Sequence, residues 1–175
     1  MTTIETQSAS HKKSRRTRRT GRRDPLAIQL LKKDHREAEA MFDDYEQLES
    51  DAEKLALFRN IALALKVHMQ IEEEIFYPSE RGEVEDDLLD EAYVEHDGAK
   101  RLIAEIETMR PGDDFYDAKV KVLGEYIKHH VKEEEQPGGL FTQAKQRGDE
   151  DLDVLGERLK ARKQELMTGK GAKAT

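Results

Sequence analysis

Four histidines, one in each of four helix-like stretches, are the residues of this chain best suited to chemistry. His68 and His130 each begin a similar phrase, HMQIE and HVKEE, with a glutamate four residues later, whereas His35 and His96 stand alone. On a helix, a spacing of four puts both side chains on one face, one turn apart. Imidazole and carboxylate together can hold iron, zinc or manganese. The pattern predicts a metal site if four helices bring these residues together.

The composition removes several other kinds of chemistry. The 175 residues include no cysteine, and 39% of them are charged. Without cysteine there is no disulfide, no thiolate nucleophile and no cysteine-ligated zinc or iron–sulfur site. The longest aliphatic run, Ile61–Leu65, is far shorter than the roughly 20 apolar residues of a membrane span. The N-terminus lacks the apolar core of a secretory signal. We therefore expect a cytoplasmic protein with no transmembrane segment.

Apolar residues recur at alternating steps of three and four along four segments, which predicts four amphipathic helices and no strand. The first is expected to begin at Asp24–Pro25, with an aspartate cap and a proline in the first turn. The second is expected to stop at Pro78. The predicted bounds are Asp24–Pro25 to Ser50–Asp51, Asp51 to Tyr77, a third helix ending at Pro111–Gly112, and a fourth from Asp113–Asp114 to the QPGG at Gln136–Gly139.

Each helix has one predicted buried seam, and each seam contains one histidine. His130 continues the seam of the fourth helix, so its neighbour His129 should point about 100 degrees away. Glu134 lies on the same seam and Glu135 does not. The seams are Ile28, Leu31, His35, Ala38, Phe42 and Tyr45; Leu57, Ile61, Ala64, His68, Ile71 and Ile75; Leu89, Ala92, His96, Ala99, Ile103 and Ile106; and Tyr116, Val120, Leu123, Ile127, His130 and Glu134.

Short connections between the segments favour an all-α, up-down-up-down four-helix bundle. His35 is ten residues after Pro25 and His68 is ten before Pro78, so both should lie about 15 Å from the same end. A short helix at Leu140–Gln146 and a final amphipathic helix from Glu150 to Met167 should follow. We expect a disordered basic arm at residues 1–23, the bundle at 24–146, and a C-terminal helix and tail at 147–175.

The two hairpins of this bundle would be alike, each with a lone histidine and a His-x-x-x-Glu pair. Burying two carboxylates without a counter-charge costs several kcal/mol each, and no seam lysine or arginine lies at their level. A pair of metal ions would remove that cost, with carboxylates able to bridge and imidazoles on each side. The predicted metal ligands are His35, His68, Glu72, His96, His130 and Glu134.

The N-terminal segment HKKSRRTRRTGRR carries eight positive charges at positions 12–23, with no apolar residue to bury. Residues 24–175 then hold 37 acidic and 22 basic residues, about −15. Such a segment is typical of disordered arms. It could bind phosphates weakly by charge alone, although it has no aromatic residue to stack on bases.

Four stretches taken together resemble the hemerythrin-like, HHE cation-binding domains: LLKKDHREAEAMFDDYE, HMQIEEEIFYP, YVEHDGAKRLIAEIE and HHVKEEE. The resemblance covers about Pro25 to Gln146. It implies a four-helix bundle with a non-haem, oxo- or hydroxo-bridged pair of iron ions, held by the same six residues. Zinc or manganese would fit the spacing too, and iron rests on the resemblance.

Two departures from that family's pattern bear on function. Oxygen-carrying hemerythrins have a further histidine at the position of Lys100, and their fourth-helix carboxylate comes five residues after the histidine, the position of Glu135 here. A site with one imidazole fewer favours harder or more oxidised iron and leaves a position for a small ligand. Tyr45 and Tyr93 could reach the site or only pack.

Three functions remain open on this evidence. The chain could bind or sense oxygen, nitric oxide, peroxide or iron itself. It could be an enzyme that reduces peroxide or nitric oxide with electrons from a partner, although the sequence shows no dedicated general acid. It could also be a structural or DNA-associated stress protein that acts through its basic arm. The oligomeric state does not follow from the sequence.

Overall fold

The computed structural model describes residues 23–147 and 149–169, so the predicted basic arm lies, except for Arg23, outside the described residues. Helices make up most of this part of the chain, which contains no strand. The helices are α1 (Leu26–Tyr45), α2 (Asp51–Ile71), α3 (Tyr77–Glu80), α4 (Asp86–Glu107), α5 (Tyr116–Glu135), α6 (Leu140–Arg147) and α7 (Asp149–Met167). A π-helical turn, Glu72–Phe76, joins α2 to α3 without a break.

The long helices α1, α2, α4 and α5 form the predicted up-down-up-down bundle around two apolar clusters. The lower core holds the start of α1, the end of α2 and the start of α4. The upper core holds the other halves of these helices and most of α5. Each helix therefore passes from one core to the other, and successive helices run in opposite directions. The four histidines lie between the cores, in a polar layer that neither cluster includes.

The predicted seams of α1, α4 and α5 are buried at every position, which follows from their unbroken helical period. In α2 the seam is only partly right. Leu57 and Ala64 are half-buried, whereas Phe58, Leu65 and Met69 are buried in the upper core. Since α2 is apolar over a wide arc, no single stripe identifies its inner face.

The predicted stop at Pro78 is wrong. The chain stays helical to Glu80, and the N–H of Arg81 still donates to the carbonyl of Tyr77. In the π turn the N–H of Tyr77 donates to the carbonyl of Glu72, five residues earlier. Pro78 comes directly after this turn, in the first turn of α3, where its missing N–H is tolerated.

Two predicted helix starts differ from the observed starts by one to three residues. Pro25 occupies the position before α1, and Asp24 makes no cap; its carboxylate instead binds Lys32 and Lys145. The chain enters α5 through Phe115, whose φ of 68° is left-handed, so the helix begins at Tyr116 rather than at Asp113. The backbone N–H of Leu26 donates to Asp153 of α7, 2.7 Å away.

The C-terminal helices pack against the lower core. Leu140 and Phe141 of α6 and Leu152, Leu155 and Leu159 of α7 are buried there. The close approach of α7 to α1 depends on Gly156, where an added Cβ would lie 2.6 Å from the backbone nitrogen of Ala27. In the described ranges, no helix has the length and apolar content needed to cross a bilayer.

Candidate metal centre

The imidazoles of the polar layer form two pairs, one from each helical hairpin. Nε2 of His35 lies 3.1 Å from Nε2 of His68, and Nε2 of His96 lies 3.2 Å from Nε2 of His130. All four residues are at most 6% exposed. The ring nitrogens that face inward are thus the same atom in every histidine.

Two fully buried carboxylates lie between the imidazole pairs. Oε2 of Glu72 is 3.1 Å from Nε2 of His68 and 3.4 Å from Nε2 of His96. Oε2 of Glu134 is 3.4 Å from Nε2 of His35 and 3.7 Å from Nε2 of His130. Each glutamate therefore contacts one histidine of its own hairpin and one of the other hairpin.

The structure brings all six predicted ligand residues together. One ligand atom from each of four of them, His35, His68, Glu72 and His130, lies within 4.8 Å of the other three. His96 and Glu134 adjoin this group through the distances given above. As predicted, His129 points away and is 58% exposed, with its ring nitrogen 3.2 Å from Glu95.

The outward nitrogen, Nδ1, of every histidine faces a carboxylate on a neighbouring helix. In His35, His96 and His130 the contact is a hydrogen bond, which fixes the ring nitrogen that carries the proton and raises the basicity of the other. Nδ1 of His68 is buried near Asp34 without a hydrogen bond to any described residue. The distances are 2.8 Å from His35 to Glu135, 3.5 Å from His68 to Asp34, 3.0 Å from His96 to Glu73 and 2.8 Å from His130 to Glu95.

Each of these outer carboxylates also contacts a basic side chain. The pairs are Asp34 with Lys163, Glu73 with Lys100, Glu95 with His129, and Glu135 with Arg36. In Glu73 the contacts with His96 and Lys100 outweigh the effect of burial, so its pKa lies below the ordinary value. The same holds for Asp34 with His68 and Lys163. Asp34 and Glu73 are therefore ionised at neutral pH.

The inner carboxylates behave in the opposite way. Burial, opposed in part by His68, raises the pKa of Glu72 to about 7. Burial and the neighbouring Glu72 carboxylate raise the pKa of Glu134 well above its ordinary value. Burial also keeps the pKa of His35 well below the ordinary value, with repulsion from His68 adding to it. Protein groups alone thus favour the neutral forms of these side chains.

These residues fit a metal ion. Where Nδ1–H donates outward, as in His35, His96 and His130, the inward Nε2 carries a lone pair. The facing Nε2 atoms of His96 and His130, 3.2 Å apart, then repel each other unless a cation lies near them. In the described part of the chain, Glu72 Oε1 and Glu134 Oε2 are buried without a hydrogen-bond partner. A cation would satisfy these oxygens and hold the ligands in their deprotonated forms.

Tyr77, which the sequence did not single out, contacts the centre. Its hydroxyl lies 3.0 Å from Oε1 of Glu134 and 3.2 Å from Nε2 of His96. The π turn explains this position, because residues five apart share a face in a π helix and Tyr77 is five residues after Glu72. Burial and the two inner glutamates raise the pKa of Tyr77 well above its usual value, so it stays protonated.

The two tyrosines considered from the sequence do not reach the centre. The Tyr45 hydroxyl donates to Asp117 in the upper part of the bundle. Tyr93 packs against the ring of Tyr77, and its hydroxyl faces the backbone carbonyl of Glu73. Glu135 contacts His35 at Nδ1, on the side away from the inner carboxylates.

An apolar cavity of about 170 Å³ adjoins the centre on the side of α7. The four histidines line it together with aliphatic and methionine side chains such as Met41, Leu65 and Ile127. On the opposite side, the depression next to His130 and Glu134 has a volume of about 10 Å³. The first cavity can hold a few small molecules, whereas the second has room for about one water at most.

Comparison with known proteins gives a curated relative and a solved structure. A DNA nickase from Nostoc sp. (strain PCC 7120 / SAG 25.82 / UTEX 2576) is 24% identical over 160 residues, which cover 91% of this chain but only 45% of the nickase. The present chain thus spans about half the length of that relative.

The solved structure is a hemerythrin HHE cation binding domain-containing protein from Mycobacterium kansasii, with a TM-score of 0.69 and 21% identity. The match covers 82% of this chain and 88% of the other, and it supports the bundle described above. A model of the hemerythrin HHE cation binding domain family matches residues 26–137, which include all four helices that surround the centre. With this match and the buried His/Glu cluster together, the chain belongs to the hemerythrin HHE cation-binding domain family.

Proposed function

We propose that the chain holds two iron ions and uses them to bind or sense a small ligand such as oxygen, nitric oxide or peroxide, or to sense iron itself. The observation that carries the proposal is the pairing of four inward Nε2 atoms around two buried carboxylates. His35 and His68 would hold one ion and His96 and His130 the other, with Glu72 and Glu134 shared between them. When bound, iron supplies Lewis acidity and a change of oxidation state.

Iron is favoured over zinc by the resemblance to hemerythrins. The donor count does not separate the two metals, because two imidazoles and two shared carboxylates would give each ion four protein ligands, the number usual for zinc. Manganese prefers oxygen-rich ligand sets.

The cavity next to the centre supports a small uncharged ligand. Its walls are mostly apolar, and about 170 Å³ is far below the size of a drug-like site. The protein's own contribution is to exclude water from the centre and to keep three of the imidazoles in one tautomer through Glu73, Glu95 and Glu135.

Metal analysis of protein purified without added metal tests the proposal, together with optical spectra before and after reduction and air exposure. His130→Ala should lower the iron content, whereas His129→Ala, its exposed neighbour, should leave it nearly unchanged. About two irons per chain would support the centre. A folded protein that contains no metal, or equal iron in the two variants, would contradict it.

An enzymatic role is the alternative, and Tyr77 favours it. A protonated hydroxyl 3.0 Å from Glu134 could donate a proton or a hydrogen bond to a reduced ligand. Peroxide reduction would need electrons from a partner protein. Steady-state turnover of hydrogen peroxide with a reductant, no faster than that of free iron, would exclude this role.

Association with DNA is a second candidate, favoured by the nickase match and by the basic segment at residues 12–23. If all eight positive charges contact phosphates, the logarithm of the binding constant for duplex DNA should fall with the logarithm of the salt concentration with a slope of about −7. A variant with all eight changed to glutamine should lose this dependence. Full-length protein without salt-sensitive binding to duplex DNA would exclude the role.

Strand cleavage at the metal centre is disfavoured by its burial, because the four histidines and two inner glutamates are at most 6% exposed and a DNA strand does not reach them. We propose that this chain does not cut DNA at the centre. A supercoiled-plasmid assay with His130→Ala and His129→Ala would test this, since nicking that only His130→Ala abolishes would place cleavage at the centre.

A further inference from the structure

The final helix α7 contributes to the metal centre although it lies beyond the part of the chain that matches the family. Lys163 and Met167 of α7 line the cavity that adjoins the four histidines. Lys163 also binds Asp34, the carboxylate that faces Nδ1 of His68. One turn of α7 therefore forms a wall of the cavity and supports one of the outer carboxylates.

This turn is a solvent-exposed part of the cavity wall, as is Glu37 of α1. The cavity on the α7 side is the larger of the two described spaces that adjoin the centre, and the one next to Glu134 is too small for a path. Met167 is 51% exposed, so its side chain contacts both the cavity and solvent. It is also the last residue of the helix, where backbone hydrogen bonds are fewest.

Contacts along α7 decrease towards this end. Leu152, Leu155 and Leu159 are buried in the lower core, and Gly156 allows close contact with α1. Beyond Leu159, α7 is held by two ion pairs, Arg162 with Glu74 and Lys163 with Asp34, and by the partly buried Leu166, which packs against the lower core. Because no described residue of α7 beyond Leu159 is fully buried, this end can open locally without unfolding the bundle.

We propose that the last turn of α7 is the entrance to the centre for small uncharged molecules, with Met167 as the residue that sets the size limit and Lys163 as the residue that holds the turn in place. The proposal adds a selectivity element to the proposed function. It rests on that function only for the identity of the ligand, because the cavity and its lining do not depend on a metal.

The absence of cysteine from the chain provides a direct test that needs no metal. Ala38 is buried and lines the cavity, so Ala38→Cys places a single thiol behind the entrance. The rate at which methyl methanethiosulfonate labels this thiol measures entry. In this background Met167→Ala should speed labelling about tenfold and Met167→Trp should slow it about tenfold, changes within the range seen among variants of one binding site.

A matched control is Val154→Ala, an exposed position on α7 that does not line the cavity. It should leave the labelling rate unchanged. Lys163→Met, which keeps an apolar stem but loses the ion pair with Asp34, should speed labelling. If Ala38→Cys itself prevents folding, association of nitric oxide with the iron-loaded Met167 variants gives the same ranking.

Equal labelling rates in the Met167 variants and the control would contradict the proposal that the last turn of α7 is the entrance. If the rates follow the size of residue 167 while the purified protein binds no metal, the entrance stands and the di-iron function fails. If iron is bound and the rates do not follow residue 167, the function stands and the entrance fails.

Discussion

Replacing Glu72 by glutamine should stabilise the metal-free protein and destabilise the metal-loaded one. Glutamine keeps the shape of the side chain but cannot ionise. In the metal-free protein, the pKa of Glu72 is about 7 against an ordinary 4.5, because burial disfavours its charge. In the loaded protein the same charge is what holds the cation, so the substitution should change stability in opposite directions in the two forms.

The size of the effect follows from this pKa. The folded state holds a proton on Glu72 that the unfolded state has lost, so stability falls as the pH rises from about 4.5 to about 7. At about 1.4 kcal/mol for each pH unit, the loss is about 3 kcal/mol above pH 7. Glu72→Gln should remove this loss of stability at pH 8, and it should have little effect at pH 4.5. At pH 8 the melting temperature of the metal-free variant should therefore lie roughly 10 °C above that of the metal-free wild type.

Denaturant and thermal unfolding at several values of pH would measure the change in stability of both forms, the chelator-treated protein and the iron-loaded protein. Glu74→Gln is the control, since Glu74 lies in the same π turn but is exposed and paired with Arg162. It should cause a small loss of stability in both forms. Destabilisation of the metal-free protein by Glu72→Gln at pH 8 would refute the reasoning, because Glu72 would then be stabilised by protein contacts alone.

Four further substitutions test the packing and the contacts around the centre. Gly156→Ala should destabilise the protein by about 1–3 kcal/mol in urea unfolding, whereas Gly98→Ala, with open space around it, should stabilise it by about 0.5–1 kcal/mol. Phe141→Ala should cost about 3–5 kcal/mol in the same assay, because this buried ring stacks on His35 at 5.7 Å. Tyr77→Phe should leave the metal content unchanged but shift the optical spectrum of the loaded protein, and an unchanged spectrum would place the hydroxyl outside the ligand sphere.

The six inner residues could be predicted because their signal is local. His35, His96 and His130 lie on seams of unbroken helical period, and two glutamates follow their histidines by one turn. Counting along a helix is enough to place such residues on one face. Their height in the bundle followed from the short connections, which fix where each helix begins.

Tyr77 could not be predicted in this way because the π turn shifts the period by one residue. A seam counted from His68 leads to Ile75, which is half-buried, whereas Phe76 and Tyr77 are the buried residues. The run of three glutamates and the proline at position 78 gave no reason to insert a residue into the turn. Such an insertion depends on what the turn packs against, and this information is not local.

The outer carboxylates were missed because they look like ordinary surface residues. Glu73 does not lie on the predicted seam of the second helix, and yet it contacts Nδ1 of His96 and is paired with Lys100. Lys100 stands where oxygen-carrying hemerythrins have a further histidine. Here it is the counter-ion of an outer carboxylate, so this departure changes the outer contacts of the centre as well as its nitrogen count.

The contacts between the outer carboxylates and the histidines follow a regular order around the bundle. Each outer carboxylate is the sequence neighbour of an inner ligand, and it reaches the histidine of the next helix around the bundle. Asp34 on α1 faces His68 on α2; Glu73 in the π turn faces His96 on α4; Glu95 on α4 faces His130 on α5; and Glu135 on α5 faces His35 on α1.

This closed order means that the two hairpins are not independent half-sites, although their sequences are alike. The imidazole pairs form within hairpins, but the supports of His96 and His35 come from the other hairpin, and each inner glutamate contacts a histidine on both sides. Docking of the hairpins therefore orients the six predicted ligands through protein contacts alone. The contact of His68 with Asp34 is the longest of the four, at 3.5 Å, and it is the one that depends on α7 through Lys163. The helix beyond the family's own boundary thus acts on the centre at the histidine whose outward nitrogen is held least closely.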